Sequence, residues 1–195
     1  MGKLIFTATV SIDGYAADAD GDFQWSAPPN TAVFDVHVDR MAAVSTEVLG
    51  RKTFELMQYW ETDPDGDAWT AAEHEFARRW RGIEKVVASS TLTAGGEVGP
   101  PHRVVPDLTL DELRRIVADA TGVVEIFGPT VAAPPAIRAG LVEEFHFFVV
   151  PPKMVGGGLR ALPDGVHLDL TLAEHTVFDN GTAHLRYVPP LRGGR

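Results

Sequence analysis

Apolar positions divide the chain into two regimes. Up to about residue 143, short near-continuous apolar runs alternate with segments whose apolar residues recur every three or four positions. Leu4-Ile-Phe-Thr-Ala-Thr-Val10 has the almost unbroken β-rich character of a strand covered on both faces. Ile83 to Ala88 and Val123 to Phe127 read the same way, and Val44 to Leu49 is a weaker version. Between these strands, Phe34, Val38, Met41 and Ala42 share one helical face. Helical spacing also marks Thr53 to Trp60, with Leu56 and Met57 apolar, and the series Trp69, Ala72, Phe76, Trp80. Thr109-Leu-Asp-Glu112 predicts a capping box, its hydroxyl and carboxylate satisfying orphan amides at a helix start. Leu110, Leu113, Ile116, Val117 and Ala120 then continue that helix.

After Glu143 the pattern becomes β. Phe145 to Val150 is a strand with Phe145, Phe147 and Val149 on one face and Phe148 and Val150 on the other. Both faces therefore need cover, from helices or from a second subunit. Leu168 to Val188 reads as two strands joined at Asn180-Gly181, a strong hairpin signal. Alternating strands and helices closed by an antiparallel hairpin predict an α/β fold with a mixed, mostly parallel sheet and helices on both faces.

The 195 residues, 45% apolar and 23% charged, suit a single domain over 1–190 with a loose tail at 191–195. A net charge of −10 argues against nucleic acid or an anionic membrane as partner. The apolar stretches Leu4–Ile12 and Ile126–Ile137 fall short of the roughly 18 residues that a membrane span needs. Met1-Gly-Lys-Leu4 leads straight into a strand without signal-peptide architecture, and the chain has no cysteine. Disulfides, thiolate-bound metals and thiol catalysis are excluded, and a cytoplasmic location is the expectation.

Self-contained catalytic devices are missing. There is no Gly-x-Ser-x-Gly elbow and no Walker loop, and the seven histidines form no His-x-His or His-x-x-x-His pair, so no metal site is expected. The acidic stretch Glu61 to Asp67 lacks an EF-hand's length and closing Glu and reads as a surface loop. Gly156, Gly158 and Ala161 fit Gly-x-Gly-x-x-Ala, but Pro163 and Gly165 stop the helix that such a phosphate site requires. They read as a tight-turning loop.

Three strand ends are better candidates. Gly50-Arg51-Lys52-Thr53 closes one strand and opens a helix, offering a permissive glycine, free amides and two cations to an anion. An ordinary strand-to-helix turn with solvated basic residues accounts for it equally well. Phe127-Gly128-Pro129-Thr130 ends another buried strand, and Ala88-Ser89-Ser90-Thr91 a third. In open α/β sheets ligands collect at the carboxyl ends of strands.

Together these segments carry a resemblance. Ser11-Ile-Asp-Gly-Tyr-Ala-Ala-Asp18, Val48-Leu-Gly-Arg-Lys-Thr-Phe-Glu55, Val86-Val-Ala-Ser-Ser90 and Ile126-Phe-Gly128 occur in the order of the dihydrofolate reductase-like superfamily. Ala139-Gly-Leu-Val-Glu-Glu144, Pro152-Lys-Met-Val-Gly-Gly-Gly158 and the closing hairpin resemble the branch that holds the reductase domain of riboflavin-biosynthesis deaminase–reductases and their stand-alone relatives. The resemblance runs from about Lys3 to Val188. It implies a three-layer fold around a mixed sheet of about eight strands, NADPH as cofactor, a small-molecule substrate and a homodimer with the C-terminal strands near its interface.

By position, the resemblance puts Gly50, Arg51, Lys52 and Thr53 at the pyrophosphate and 2′-phosphate, which implies a preference for NADPH over NADH. It puts Ser89, Ser90 and Thr91 at the adenosine half, and Thr9 and Ala17 at the nicotinamide. Phe127, Gly128, Pro129, Thr130 and Val131 would complete the phosphate turn. The chain departs from the family in having Gly128-Pro129 for the usual Gly-Gly, and Ala133-Pro-Pro-Ala136 within a helix. Proline in a helix interior costs about 3 kcal/mol, so Pro134-Pro135 should mark a fresh helix start.

Asp35, on the first predicted helix, stands about where dihydrofolate reductases hold a substrate-binding carboxylate, and is the candidate catalytic and substrate residue. A solvent-facing helix acid is the alternative, since Asp39 is one turn further along. Trp25 closes over the substrate or plugs the core. Asp13 suits an Asx-turn, and His37 a structural or surface role rather than proton transfer. The expected function is an NADPH-dependent reductase of a small heterocycle or carbonyl compound, similar to the 5-amino-6-(5-phosphoribosylamino)uracil reductase of riboflavin biosynthesis. The alternatives are a true dihydrofolate reductase, which the late-chain motifs disfavour, and an NADPH-binding regulatory protein without turnover.

Overall fold

The structure, a computed structural model, describes residues 2–26, 31–64, 68–92, 102–150 and 154–190. The expected tail at 191–195, residues 65–67 of the acidic loop and Pro152-Lys153 of the late motif lie outside the described residues.

An eight-stranded sheet forms the centre. Its strands are β1 (Lys3–Val10), β3 (Val44–Gly50), β4 (Glu84–Ala88), β5 (His102–Val105), β6 (Val123–Phe127), β7 (Glu144–Val149), β9 (Thr171–Val177) and β10 (Ala183–Val188), in the order β5-β4-β3-β6-β1-β7-β10-β9. Only β10 runs against the rest, pairing antiparallel with both β7 and β9. Two short strands, β2 (Tyr15–Ala17) and β8 (Leu159–Arg160), pair as a separate ribbon. This is the expected mixed sheet with an antiparallel C-terminal hairpin.

Five α-helices make the outer layers: α1 (Thr31–Met41), α2 (Arg51–Met57), α3 (Ala71–Gly82), α4 (Leu110–Asp119) and α5 (Ala133–Arg138). Even-numbered residues of β1, with Val48, Val124 and Ile126, pack on Leu113, Ile116 and Val117 of α4 and Ala136 and Ile137 of α5. On the opposite face Val38, Met41, Met57, Phe76 and Trp80 from α1, α2 and α3 cluster with Val44 and Ile83. The period-2 alternation of side chains sends one set of each strand to each helical layer.

Local details depart from the sequence pattern for identifiable reasons. Trp69 precedes α3 rather than joining it, because Thr70 caps the helix: Glu73 N–H donates to Thr70 Oγ1 at 3.3 Å, and Thr70 N–H donates to Glu73 Oε2 at 2.7 Å. The box expected at Thr109 is half-formed. Thr109 Oγ1 accepts from Glu112 N–H at 3.2 Å, but the Glu112 carboxylate turns to Arg103 on β5, 3.7 Å away. The segment expected as one helix from Thr53 to Trp60 starts at Arg51 and tightens into a 3-10 turn over Gln58–Trp60. The α5 helix begins at Ala133 with the prolines in its first turn, where the missing N–H groups have no intrahelical partner to lose.

At the hairpin, Gly181 takes φ 82° and its N–H donates to Phe178 O at 2.8 Å, while Asn180 Oδ1 accepts from Thr182 N–H at 3.0 Å. The β9 strand starts at Thr171, three residues later than its apolar pattern suggests. Gly158, at φ 127°, is pressed against the end of β2, so that a Cβ there would overlap Ala17 O and Asp18 O. The glycine run is thus the tight turn expected of it, and it docks β8 beneath β2.

Candidate active site

A cavity of about 940 Å³ opens at the carboxyl ends of β1, β3, β6 and β7, between the sheet, α1, α2 and the β2 segment. Thr9 at the end of β1 and Ala17 on β2 line it, as do Lys52 and Thr53 after β3 and Phe127, Gly128 and Pro129 after β6. Seven of the residues singled out in the sequence therefore meet in one place. The turns they come from face each other closely: a Cβ on Gly128 would lie 3.9 Å from Thr53 Oγ1, and one on Gly50 3.8 Å from Thr130 Cγ2. Gly128 takes φ 77°, a conformation that costs a side-chain-bearing residue. Its N–H is donated to Thr7 O at 2.8 Å, which ties the turn to β1. Lys52 Nζ has no ion-pair or hydrogen-bond partner among the described residues and lies 3.5 Å from where a Cβ on Gly21 would be.

The other candidates stand elsewhere. Arg51 points along the surface and pairs with Glu55 at 3.0 Å, one helical turn on. Thr130 N–H donates to Gly128 O at 2.8 Å, its hydroxyl accepts from Ala132 N–H at 3.3 Å, and its side chain borders a neighbouring hollow with Tyr15 and Arg160. Val131 is exposed. Ser89 Oγ accepts from the backbone N–H of Thr91 and Leu92, at 3.3 and 3.1 Å, so this segment ties its own turn after β4 and does not line the cavity.

Asp35 is exposed and outside the cavity. The α1 helix turns Val33, Phe34, His37 and Arg40 inward, and Asp35, two residues from His37, points away by roughly 200° of helical rotation. Trp25 is not part of the wall either. Its Nε1–H donates to Asp22 O at 2.9 Å, and Phe23 lines the cavity in its place. Asp13 does hold a turn, as expected, and more: Oδ1 accepts from Ser11 Oγ at 2.7 Å and Val155 N–H at 3.1 Å, and Oδ2 from Gly156 N–H at 2.8 Å. These hydrogen bonds lower its pKa to about 2 and fasten the glycine loop to the end of β1.

The inner wall holds residues that the sequence reading passed over: Arg40, Glu47, Phe148 and Thr182. Glu47, in β3, stands in register with Lys85 of β4 and Glu125 of β6, so three ionisable residues lie side by side across the buried sheet. Arg40 forms a buried ion pair with Glu125, and Trp80 Nε1–H donates to Glu47 Oε2 at 2.8 Å. Burial and the neighbouring Glu125 raise Glu47 to about 7, against the pull of Arg40 and the Trp80 hydrogen bond. A signal was present, since a charge inside a strand apolar on both faces must find a partner.

His37 belongs to this wall too, rather than to the surface. Arg40 Nη2 lies 3.2 Å from His37 Nδ1, and the imidazole stacks on Phe148 at 4.2 Å. A guanidinium only donates, so Nδ1 is the acceptor and the ring proton sits on Nε2. Burial, with Arg40 beside it, holds the His37 pKa well below the usual imidazole value. Among the described residues no group of three or more His, Asp and Glu side chains is placed to hold a metal ion, and no helix is long and apolar enough to cross a membrane.

Comparison with known proteins matches residues 2–184 to the RibD C-terminal domain. The chain belongs to that family. Among solved structures it is similar to a protein of Shewanella sp. PV-4 ascribed to riboflavin biosynthesis, at TM-score 0.71 and 20% identity over 96% of this chain and 98% of that one. It is also similar to the diaminohydroxyphosphoribosylaminopyrimidine deaminase/5-amino-6-(5-phosphoribosylamino)uracil reductase of Thermotoga maritima, at TM-score 0.64 and 16% identity, covering 96% of this chain and 56% of that one. Dihydrofolate reductase of Enterococcus faecalis, solved with NADP(H), shares the fold at TM-score 0.56 and 16% identity over 96% of each chain. No curated protein sequence matches it significantly. The fold is that of the dihydrofolate reductase-like proteins.

Proposed function

We propose that this RibD C-terminal domain chain is a nicotinamide-dependent reductase, preferring NADPH, that acts on a small heterocyclic or carbonyl substrate. The observation that carries this reading is the meeting of the turns after β3 and β6 at one cavity, with Thr53 facing Gly128 and the Lys52 ammonium on the same wall beside Gly21. The residues present fit the cofactor. A positive-φ glycine keeps the turn free of side chain, the Thr53 hydroxyl lies across from it, and an ammonium with no partner among the described residues lines the same cavity.

The bound cofactor would supply the hydride, which no protein side chain can. Lys52 and Thr53 would hold its phosphates by charge-assisted and hydroxyl hydrogen bonds. Thr9 and Ala17 also line this cavity and would border the reacting ring. At the inner wall His37 carries its proton on Nε2, and burial beside Glu125 raises the pKa of the Glu47 carboxyl, whose Oε2 accepts from Trp80. True dihydrofolate reductase activity is less well supported, because α1 offers the cavity no carboxylate.

Calorimetry with NADPH and NADH tests the cofactor. The expected result is tighter binding of NADPH, weakened about tenfold or more in Lys52→Ala, and equal binding of both cofactors would sink the phosphate assignment. Stoichiometric NADPH binding without oxidation against a broad substrate panel would favour a regulatory protein instead. We also propose a homodimer through the C-terminal strands. All seven residues of β9 are exposed, an open edge that a second subunit would cover. Sedimentation equilibrium at micromolar concentration checks it.

A further inference from the structure

Resting on the reductase reading, we infer that the substrate is a flat, mainly apolar, unphosphorylated carbonyl or imine compound, in contrast to the phosphoribosyl substrate named for the Thermotoga relative. The argument is one of charge. Among the described residues the cavity has two cationic side chains, Arg40 and Lys52, against the acids Asp18, Asp20 and Glu47. Arg40 is committed to Glu125, and both are buried. Lys52, in the turn after β3 with its ammonium beside Gly21, is the cation assigned to the cofactor phosphates. The other cations nearby are also engaged: Arg51 with Glu55, Arg160 with Asp164 and over the Tyr15 ring, and Arg81 with Asp63 and Trp60 O. A phosphate brought into the remaining space would lose its hydration without gaining a counter-charge from any described residue.

What does line that space is aromatic. Phe34 and Trp60 stack with centroids 5.7 Å apart, Trp60 meets Phe76 at 4.9 Å, and Phe148 is stacked on His37. These faces suit a planar ring. The polar groups at the inner end include Glu47, His37 and the buried hydroxyl of Thr182, which has no hydrogen-bond partner among the described residues. A single polar edge on the substrate would satisfy them. In the reduction, the carbonyl carbon takes a hydride with its two electrons from a dihydronicotinamide, which is oxidised, and the oxygen takes a proton.

The test uses the full chain saturated with NADP+ and a matched pair of ligands: 5-amino-6-(5-phosphoribosylamino)uracil and the same compound without its phosphate. Calorimetry should show the phosphorylated form binding at least tenfold more weakly. Leu56→Arg puts a cation on a half-exposed residue of the wall and should reverse that order. A bicyclic aromatic aldehyde should quench tryptophan fluorescence and drive NADPH oxidation. Tighter binding of the phosphorylated member by the unaltered protein, or no quenching by the aldehyde, overturns the inference while leaving the cofactor reading intact. Failure of NADPH itself to bind, read in a separate titration, overturns both.

Discussion

The two faces of the central sheet are built from the same strands to different ends. Towards α4 and α5, β1, β3, β4 and β6 present Leu4, Phe6, Val48, Val86, Val124 and Ile126, all fully buried and all apolar. Towards α1 and α3, alternate residues of the same strands present Thr7, Glu47, Lys85 and Glu125, with His146 and His184 beyond them on β7 and β10. The first face gains its stability from buried apolar area. The second face carries desolvated ionisable groups, compensated by Arg40 on Glu125, by the Trp80 hydrogen bond to Glu47 and by Lys85 lying 4.2 Å over the Trp80 ring. The cavity opens on this second face. The fold thus keeps its packing and its chemistry on opposite sides of one sheet, and each side should respond to mutation in its own way.

The largest effect is expected from breaking the charge compensation. Arg40→Leu leaves the buried Glu125 carboxylate without its counter-charge, and should cost about 3–5 kcal/mol of stability in chemical denaturation. Arg40→Leu combined with Glu125→Leu should recover most of that loss, since no buried charge is then orphaned. A double variant as unstable as the single one would mean that the pair acts through shape rather than charge. Next in size, Leu113→Ala on the apolar face should cost about 2–4 kcal/mol through its cavity, yet change NADPH affinity less than twofold. A large change in affinity would show that the faces are not separate.

The apolar face was the legible one. Near-continuous runs such as Leu4 to Val10 and Val123 to Phe127 name their own strands, and Leu113, Ile116 and Val117 name the helix that covers them. Short pieces were missed because they carry too few residues for a period: β5 spans four residues and includes Arg103, and β2 and β8 span three and two. At the site, Gly50 to Thr53 and Phe127 to Pro129 were readable, because turns at strand ends depend on local chemistry. The inner wall was not. Asp35 is the candidate acid by sequence position, although the stripe Phe34, Val38, Met41 already points the helix's apolar side away from it. Glu47 and Glu125 gain meaning only when β3 and β6 become neighbours, which no local pattern states.

Glu47→Gln sharpens the electrostatic half of the comparison. The folded-state pKa of Glu47, about 7, is above its unfolded value. Between roughly pH 4.5 and 7 the folded protein therefore holds a proton that the unfolded chain has lost, and stability falls as pH rises through that window. The amide can still accept from Trp80 but never ionises. We expect the variant to gain about 1–3 kcal/mol relative to the unaltered protein at pH 8 and almost nothing at pH 4.5, by urea denaturation at each pH. A gain that does not vary with pH would assign the effect to packing.

The smallest effect is expected at the far end of the same face. His146 lies between His184, whose Nε2 is 3.1 Å from His146 Nδ1, and Glu144, whose Oε2 is 3.3 Å from His146 Nε2. Glu144 is held ionised by Lys3 and Arg186, so His146 donates to it from Nε2 and accepts the His184 proton at Nδ1. His146 must then be neutral, whereas the His184 charge is set by burial. Burial lowers the His184 pKa to about 4, with the His146 ring adding to the shift. As pH falls from about 6.5 to 4 the unfolded chain binds a proton that folded His184 refuses, so stability is complete above that window and is lost within it. Because the ring is partly solvated, the loss should be about 1 kcal/mol, well below the full value of the shift. Glu47 titrates in the opposite sense over part of the same range, so the measurement must be a difference. His184→Gln keeps a donor for His146 and removes the titration. The stability gap between it and the unaltered protein should narrow by about 1 kcal/mol, or reverse, between pH 7 and pH 4. A constant gap would mean that His184 is not held neutral by the fold, and that the charged half of the sheet ends at Arg40.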